Sequence, residues 1–405
     1  MTPAARALRE LGLAAGKASD AQLLKLVGVL DRLPQRLDTD AVLDPVRPRL
    51  RTLRPARPLN LARVLFLPLD GVLMAARDWR GKPGRVPRSA IAPLLAAFRA
   101  AEPALAAETE AAIAGQTLAN AGLCARLGER LWPAAAAALP PGAPDGWAET
   151  GLPATAYPGI YRIAGTLWRH GSALWALRQA GADGPPEEQA RPAFRTIAPE
   201  GSEAVGYALA ALLPFAARPA QLIAAVAAID RALAPAAEQA LDGYLEGVTA
   251  PEPGQELEAT AAAARRFAGL IEDVERGMSR DRPRRAQAMQ ALRSAAAGVC
   301  TARLAREAEA GLLEPLNALL AAREVSDAEV EALEARARGL RDLSETGRRL
   351  QPGLPADQGF ERVIARLAAS TLRLPPRGPG FLRADALRLV EILSGPDAAA
   401  KLGGG

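Results

Sequence analysis

Leu23, Leu26, Val27 and Leu30 recur at steps of three and four with polar positions between them, the apolar stripe of a helix. Ser19 and Gln22 form a capping box at its start, and Pro34 stops it. Asp44-Pro45 then reads as a cap with proline at the first helical position. Val46, Leu50 and Leu53 lie on one face of that short helix and Arg47, Arg51 and Arg54 on another, with Pro55 and Pro58 ending it. The apolar run Val64 to Leu67 fits a buried strand or a turn of buried helix, and periodicity does not separate the two.

From Ser89 to Val248 the pattern is of short helices punctuated by proline and glycine. Ile91, Leu94, Leu95 and Phe98 make one stripe, and Leu222, Val226, Ile229 and Leu233 another; Ser202 is placed as the cap of a helix bearing Val205, Leu209 and Leu212. Ile163, Leu167, His170, Leu174 and Leu177 follow at steps of 4, 3, 4 and 3, which predicts one helix running through the histidine. Pro140 to Pro158 and Gly181 to Pro199 read as surface loops or domain joints. After Pro251-Glu252-Pro253-Gly254, a linker, three long helices are expected. The first carries Ala264, Phe267, Ile271, Val274 and Met278; the second runs from Pro283 to about Ala322 with Met289, Leu292, Val299 and Leu304; the third, after a Ser326 to Glu329 capping box, carries Val330, Leu333, Ala337 and Leu340. Two short helices, Asp357 to Leu372 and Phe381 to Leu393, flank the breaker Pro375 to Gly380. Helices this short must pack on each other. The expected fold is all-α and multi-domain: an irregular helical bundle or stack, then a C-terminal antiparallel helical bundle. The expected parts are residues 1–88 (N-terminal helices plus the basic segment), 89–250, 255–351 and 357–397.

Composition narrows the class. With 405 residues, 49% hydrophobic, 23% charged and only 4% aromatic, the chain reads as a soluble Ala- and Leu-rich helical protein. Cys124 and Cys300 lie far apart in apolar helical contexts, which fits a reducing cytoplasm and supplies neither a cysteine-built zinc site nor a disulfide scaffold. The charged N-terminus has no apolar core of a secretory signal. The most apolar segment, from Ala204 to Ala217, is fourteen residues long and falls short of the roughly 20 residues that cross a bilayer. No membrane span is expected.

Charge is unevenly placed. Pro45 to Arg88 holds eleven Lys and Arg against two Asp, a surplus of +9 in a chain whose total is +5, so the remainder carries −4. Within it, Arg77, Trp79, Arg80, Lys82, Arg85 and Arg88 combine cations, an indole and permissive glycines, a loop suited to an acidic protein face, nucleic acid or phosphates; a plain solvated loop is the competing reading. Tyr161, Trp168 and Trp175 repeat every seven residues, as a packing seam between helices, a partner groove or a stacking platform. His170, the one histidine, lies on the apolar stripe and reads as a core or interface residue. The phrase Phe66 to Leu73 departs from the Asp-x-Asp-Gly phosphatase motif of the haloacid dehalogenase family because Pro68 stands where the nucleophilic carboxylate is needed. No Walker A loop, Gly-x-Ser-x-Gly, Gly-x-Gly-x-x-Gly or His-Glu-x-x-His occurs, so no catalytic, cofactor or metal residue is assigned. The expected function is that of a cytoplasmic helical interaction or scaffold protein docking on an acidic partner through the basic segment. The alternatives are a nucleic-acid-associated protein using the same segment, and an enzyme with a carboxylate and arginine site in a helical bundle.

Overall fold

The computed structural model describes residues 18, 20–30, 58–79, 81–180, 187–248, 257–278, 282–351 and 358–403. The expected helix after Asp44, the Ser19 cap, the Pro34 stop and the linker at Pro251 to Gly254 lie outside them. The fold is all-α, helix packed on helix, with one two-residue parallel pair among the described residues, Leu73–Met74 (β1) against Val86–Pro87 (β2). The chain forms two compact units, residues 1–216 with 225–240, and residues 217–224 with 241–405. Among the described residues no single helix is long and apolar enough to cross a membrane.

The first unit holds α1 (Asp20–Leu30), α2 (Leu61–Leu65), α3 (Ala76–Trp79), α4 (Ile91–Ala101), α5 (Pro103–Ile113), α6 (Ala121–Ala137), α7 (Tyr157–Arg169), α8 (Gly171–Gln179), α9 (Glu187–Ile197) and α10 (Ser202–Leu212). The ambiguous apolar run resolves as helix, α2 followed by a 3-10 turn at Leu67–Leu69. Five residues are too few for a helix that stands alone. Asn60 closes its start by accepting the Arg63 N–H at 2.8 Å. Its end is buried, where carbonyls without partners are costly. Two indoles supply the donors: Trp132 of α6 donates to the Val64 carbonyl at 3.0 Å and Trp168 of α7 to the Leu65 carbonyl at 2.7 Å. The Phe66 ring meets Trp168 edge-on at 5.3 Å. α5, α6, α7 and α8 therefore pack around a segment of nine residues.

The helix expected to run through His170 is broken there. α7 ends at Arg169, α8 begins at Gly171, and His170 sits between them at φ −100°, ψ 12°. The break lets Gly171 press on the core: a Cβ there would lie 2.9 Å from the Trp132 ring and 3.0 Å from Pro68. Three further expectations are corrected. Gly181 to Pro199 contains α9, whose Ala190, Phe194 and Ile197 are buried at helical spacing despite the internal Pro192. Gly201, at φ 101°, rather than Ser202, is the N-cap of α10. The stripe from Leu222 to Leu233 is interrupted, because α11 (Pro219–Ala227) ends before Ile229 and Asp230 caps a new turn by accepting the Ala232 N–H, ahead of α12 (Ala234–Leu245).

The second unit is built on α13 (Leu257–Gly277), α14 (Pro283–Glu307), α15 (Glu314–Ala321) and α16 (Asp327–Leu350), followed by α17 (Gln358–Thr371), α18 (Arg383–Ser394) and α19 (Pro396–Gly403), the last not foreseen from sequence. Arg265 pairs with Asp342 at 3.1 Å and Glu272 with Arg349 at 2.5 Å, so α13 and α16 run in the same direction. α14 returns between them. Leu257, Ala264, Ile271 and Val274 meet Leu292, Ala296, Cys300 and Leu304 and the stripe Leu333, Ala337, Leu340 and Leu343, all buried. The Ser326–Glu329 capping box forms as expected, with Glu329 accepting the Ser326 N–H at 2.9 Å.

The single helix expected from Pro283 to Ala322 contains a π-turn, Ala308–Leu313. Pro315 has no N–H to give the Gly311 carbonyl, and its ring would collide with that carbonyl in a regular helix. Arg336 of α16 reaches the carbonyl instead, at 3.4 Å.

Two predictions follow from these contacts. Trp168→Phe leaves the Leu65 carbonyl without its donor, whereas the Trp175 indole N–H has no partner to lose; in urea unfolding, Trp168→Phe should cost about 1–3 kcal/mol more than Trp175→Phe. Asp273 of α13 is buried and accepts the Ala220 N–H at the start of α11 at 2.6 Å, and burial raises its pKa above the ordinary carboxylate value. A raised folded-state pKa favours the protonated form, so this group's contribution to stability falls as pH rises through the ordinary value to the raised one. Asp273→Asn keeps an acceptor without the charge. The stability difference between variant and wild type should shift in the variant's favour from pH 3.5 to pH 7.

Candidate interaction site

The basic loop between Asp70 and Arg88 is framed from within. It leaves the Leu61–Leu69 segment at Gly71, where a Cβ would sit 2.0 Å from the Ala211 carbonyl oxygen, so only glycine allows that approach to α10. β1 then runs beside β2, and the Val86 N–H donates to the Val72 carbonyl at 3.0 Å. Between the two strands α3 makes one turn. Lys82 donates its backbone N–H to the Trp79 carbonyl at 2.7 Å, and Gly81 and Gly84, at φ 74° and 69°, take the left-handed turns.

Two of the candidate residues are spent on this frame. Trp79 is half-buried and donates Nε1–H to the Arg85 carbonyl at 3.1 Å; Arg85 donates from Nη1 to the Gly71 carbonyl at 2.8 Å. Burial lowers the Arg85 pKa from its ordinary value. The indole expected at the surface is thus a strut of the loop. Arg77, with 87% of its side chain exposed, Lys82 and Arg88 point to solvent, and Arg77 meets the neighbouring Asp78 at 3.7 Å. Arg80 lies outside the described residues.

The aromatic stripe is not one surface. Trp168 and Trp175 are buried, because the break at His170 turns both toward the Leu61–Leu69 segment, and Trp175 packs on Trp132 at 6.4 Å. As a platform for a ligand, these two are excluded by their burial. Tyr161 alone is exposed, at 38%. His170 closes the break: its Nε2 lies 2.7 Å from Glu200 Oε1, while Arg169 holds the other oxygen of the same carboxylate at 2.6 Å. The hydrogen bond from Arg169 is the main cause that lowers the Glu200 pKa below the carboxylate value, with His170 adding to it. This triad ties the break to the 3-10 turn Ala198–Glu200, a structural task for the one histidine.

Sequence reasoning missed Arg178. Its guanidinium donates to Asp70 Oδ2 at 3.0 Å and to the Leu67 carbonyl at 3.4 Å, and lies 3.7 Å over the Phe215 ring, between the apolar core and the root of the basic loop. Asp70, one of two acidic residues in the basic segment, is thereby neutralised from 108 positions away, a separation that leaves no local sequence signal. No family model, curated protein or solved structure matches the chain.

The frame is testable by amide hydrogen exchange. Arg85→Met removes the bond to Gly71 and should speed exchange at Val86 and Lys82 by about tenfold, the equivalent of one ordinary hydrogen bond. Arg77→Gln should leave both amides unchanged.

Proposed function

We propose that this is a helical interaction protein that docks on an acidic partner through Arg77, Lys82 and Arg88. The observation that carries the reading is that these three cations stand exposed on a loop whose shape is held by other residues, Trp79, Arg85 and Gly71. A preorganised cationic surface loses little conformational freedom on binding and steers an oppositely charged partner. Arg178 supports the reading as well, since it engages the nearest acidic side chain at the loop's root, Asp70, and leaves the loop's own charge uncompensated at that end.

The test is binding of a labelled poly-glutamate peptide and of a short DNA duplex to the full chain and to the triple variant Arg77→Gln, Lys82→Gln, Arg88→Gln. The variant should keep its melting temperature, because exposed charges contribute about 0–1 kcal/mol per pair. It should bind poly-glutamate at least about tenfold more weakly. Wild-type binding should fade as the Debye length drops from about 10 Å at 0.1 M salt to about 3 Å at 1 M. A steep log–log decline confined to the duplex would favour the nucleic-acid reading instead. Salt-independent binding that ignores the three substitutions would sink both.

A further inference from the structure

β1 and β2 are joined in a register that leaves one side of β1 open. Leu73 lies beside Val86 and Met74 beside Pro87, and the Val86 N–H donates to the Val72 carbonyl at 3.0 Å. In an extended strand the N–H and C=O of one residue point to one side and those of the next to the other. The bond at Val72 fixes that alternation, and Pro87, with no N–H to offer the Leu73 carbonyl, forbids the opposite one. Val72 and Met74 therefore turn their polar backbone toward β2, and Leu73 turns its N–H and C=O away from it. Among the described residues neither group of Leu73 takes a hydrogen bond, and Leu73 is half-buried, not sealed in the core. The open edge is one residue long. The Gly71 carbonyl accepts Arg85 and the Ala75 carbonyl accepts the Asp78 N–H, so neither prolongs it.

We propose that the acidic partner binds as an extended peptide strand laid antiparallel along β1, one of its residues exchanging both backbone hydrogen bonds with Leu73 while flanking carboxylates meet Arg77 and Arg88. The inference rests on the acidic-partner reading and adds how the partner's backbone is held. A donor and an acceptor side by side on one residue are what a single residue of an antiparallel strand matches, and a nucleic-acid duplex has no such pair of peptide groups to offer. Two backbone bonds hold a strand weakly, so charge has to supply the rest. Because β1 and β2 are parallel, Arg77, three residues past Met74, and Arg88, the residue after Pro87, follow the strands at the same end of the sheet. Both are exposed, and Lys82 and Arg88 have no ion-pair partner among the described residues. Strands lie about 4.8 Å apart, which puts Arg88 about 10 Å from the added strand, within a Debye length at 0.1 M salt.

The probes are a short peptide of alternating Glu and Thr, blocked at both ends, and the same peptide N-methylated throughout, which keeps the charges and has no N–H to give. Binding of each to the full chain is measured at 0.1 M salt, together with amide hydrogen exchange at Leu73 and Val86. The plain peptide should bind at least about tenfold more tightly than the N-methylated one. At saturation it should slow exchange at Leu73 by about tenfold or more, and change Val86, already bonded to Val72, far less. The triple variant Arg77→Gln, Lys82→Gln, Arg88→Gln should lose both the binding and the protection. Equal binding of the two peptides, or a saturated chain whose Leu73 amide exchanges as before, overturns the strand and leaves the acidic-partner reading standing. Failure of either peptide to bind at all overturns both.

Discussion

Two hydrogen bonds from tryptophan, to the Val64 and Leu65 carbonyls, are what the first unit depends on. A five-residue helix deep in an apolar core has buried carbonyls at its end, and the backbone N–H of Phe66 alone is shared between those of Ala62 and Val64. Indole answers both demands at once: it fills the space around the segment and carries one N–H to a fixed point. Once Trp132 and Trp168 are set, the positions of other residues follow. Gly128 and Gly171 must lack a Cβ because the Trp132 ring occupies the space beside them. The break at His170 brings α8 around the same ring, and Arg178, carried on α8, reaches Asp70 at the base of the basic loop.

The second unit is held differently. Its core is a seam of leucine, alanine and valine between three long helices, with ion pairs such as Glu272–Arg349 and Arg265–Asp342 fixing which helix lies alongside which. These pairs are largely exposed and add little energy each. Their service is to register. The departure from regular helix at Ala308–Leu313 is set by Pro315, and Arg336 reaches the carbonyl it leaves.

What was legible in the sequence was whatever depends on neighbours a turn apart. The stripes of the long C-terminal helices, the Ser326–Glu329 cap and the breaker at Pro375 to Gly380 are local patterns, and the structure has them. The all-α class follows from the same periodicities. What was not legible depends on residues far away in the chain. The spacing around His170 is that of an unbroken helix, and the partners found at the break, Trp132 and Pro68 against Gly171 and Glu200 against His170, lie far off in the chain. Pro192 argued for a loop, yet three buried apolar residues at helical spacing outweighed it. At the candidate site the cations were evident from composition. Which of them are exposed was not, since the roles of Trp79 and Arg85 come from bonds to backbone carbonyls that no motif records.

The indole caps also bear on how the chain acquires its structure as it leaves the ribosome. Trp132 and Trp168 lie 68 and 103 positions beyond the carbonyls they serve. Until α7 has emerged, the Leu61–Leu69 segment is a short apolar stretch that lacks the indole donor of the Leu65 carbonyl. Closing contacts so distant in sequence costs loop entropy before it is rewarded, so assembly of the first unit is slower than that of helices joined by local contacts. The basic residues on either side of it, from Arg57 to Arg88, give the nascent chain a charge that keeps like copies apart during the delay.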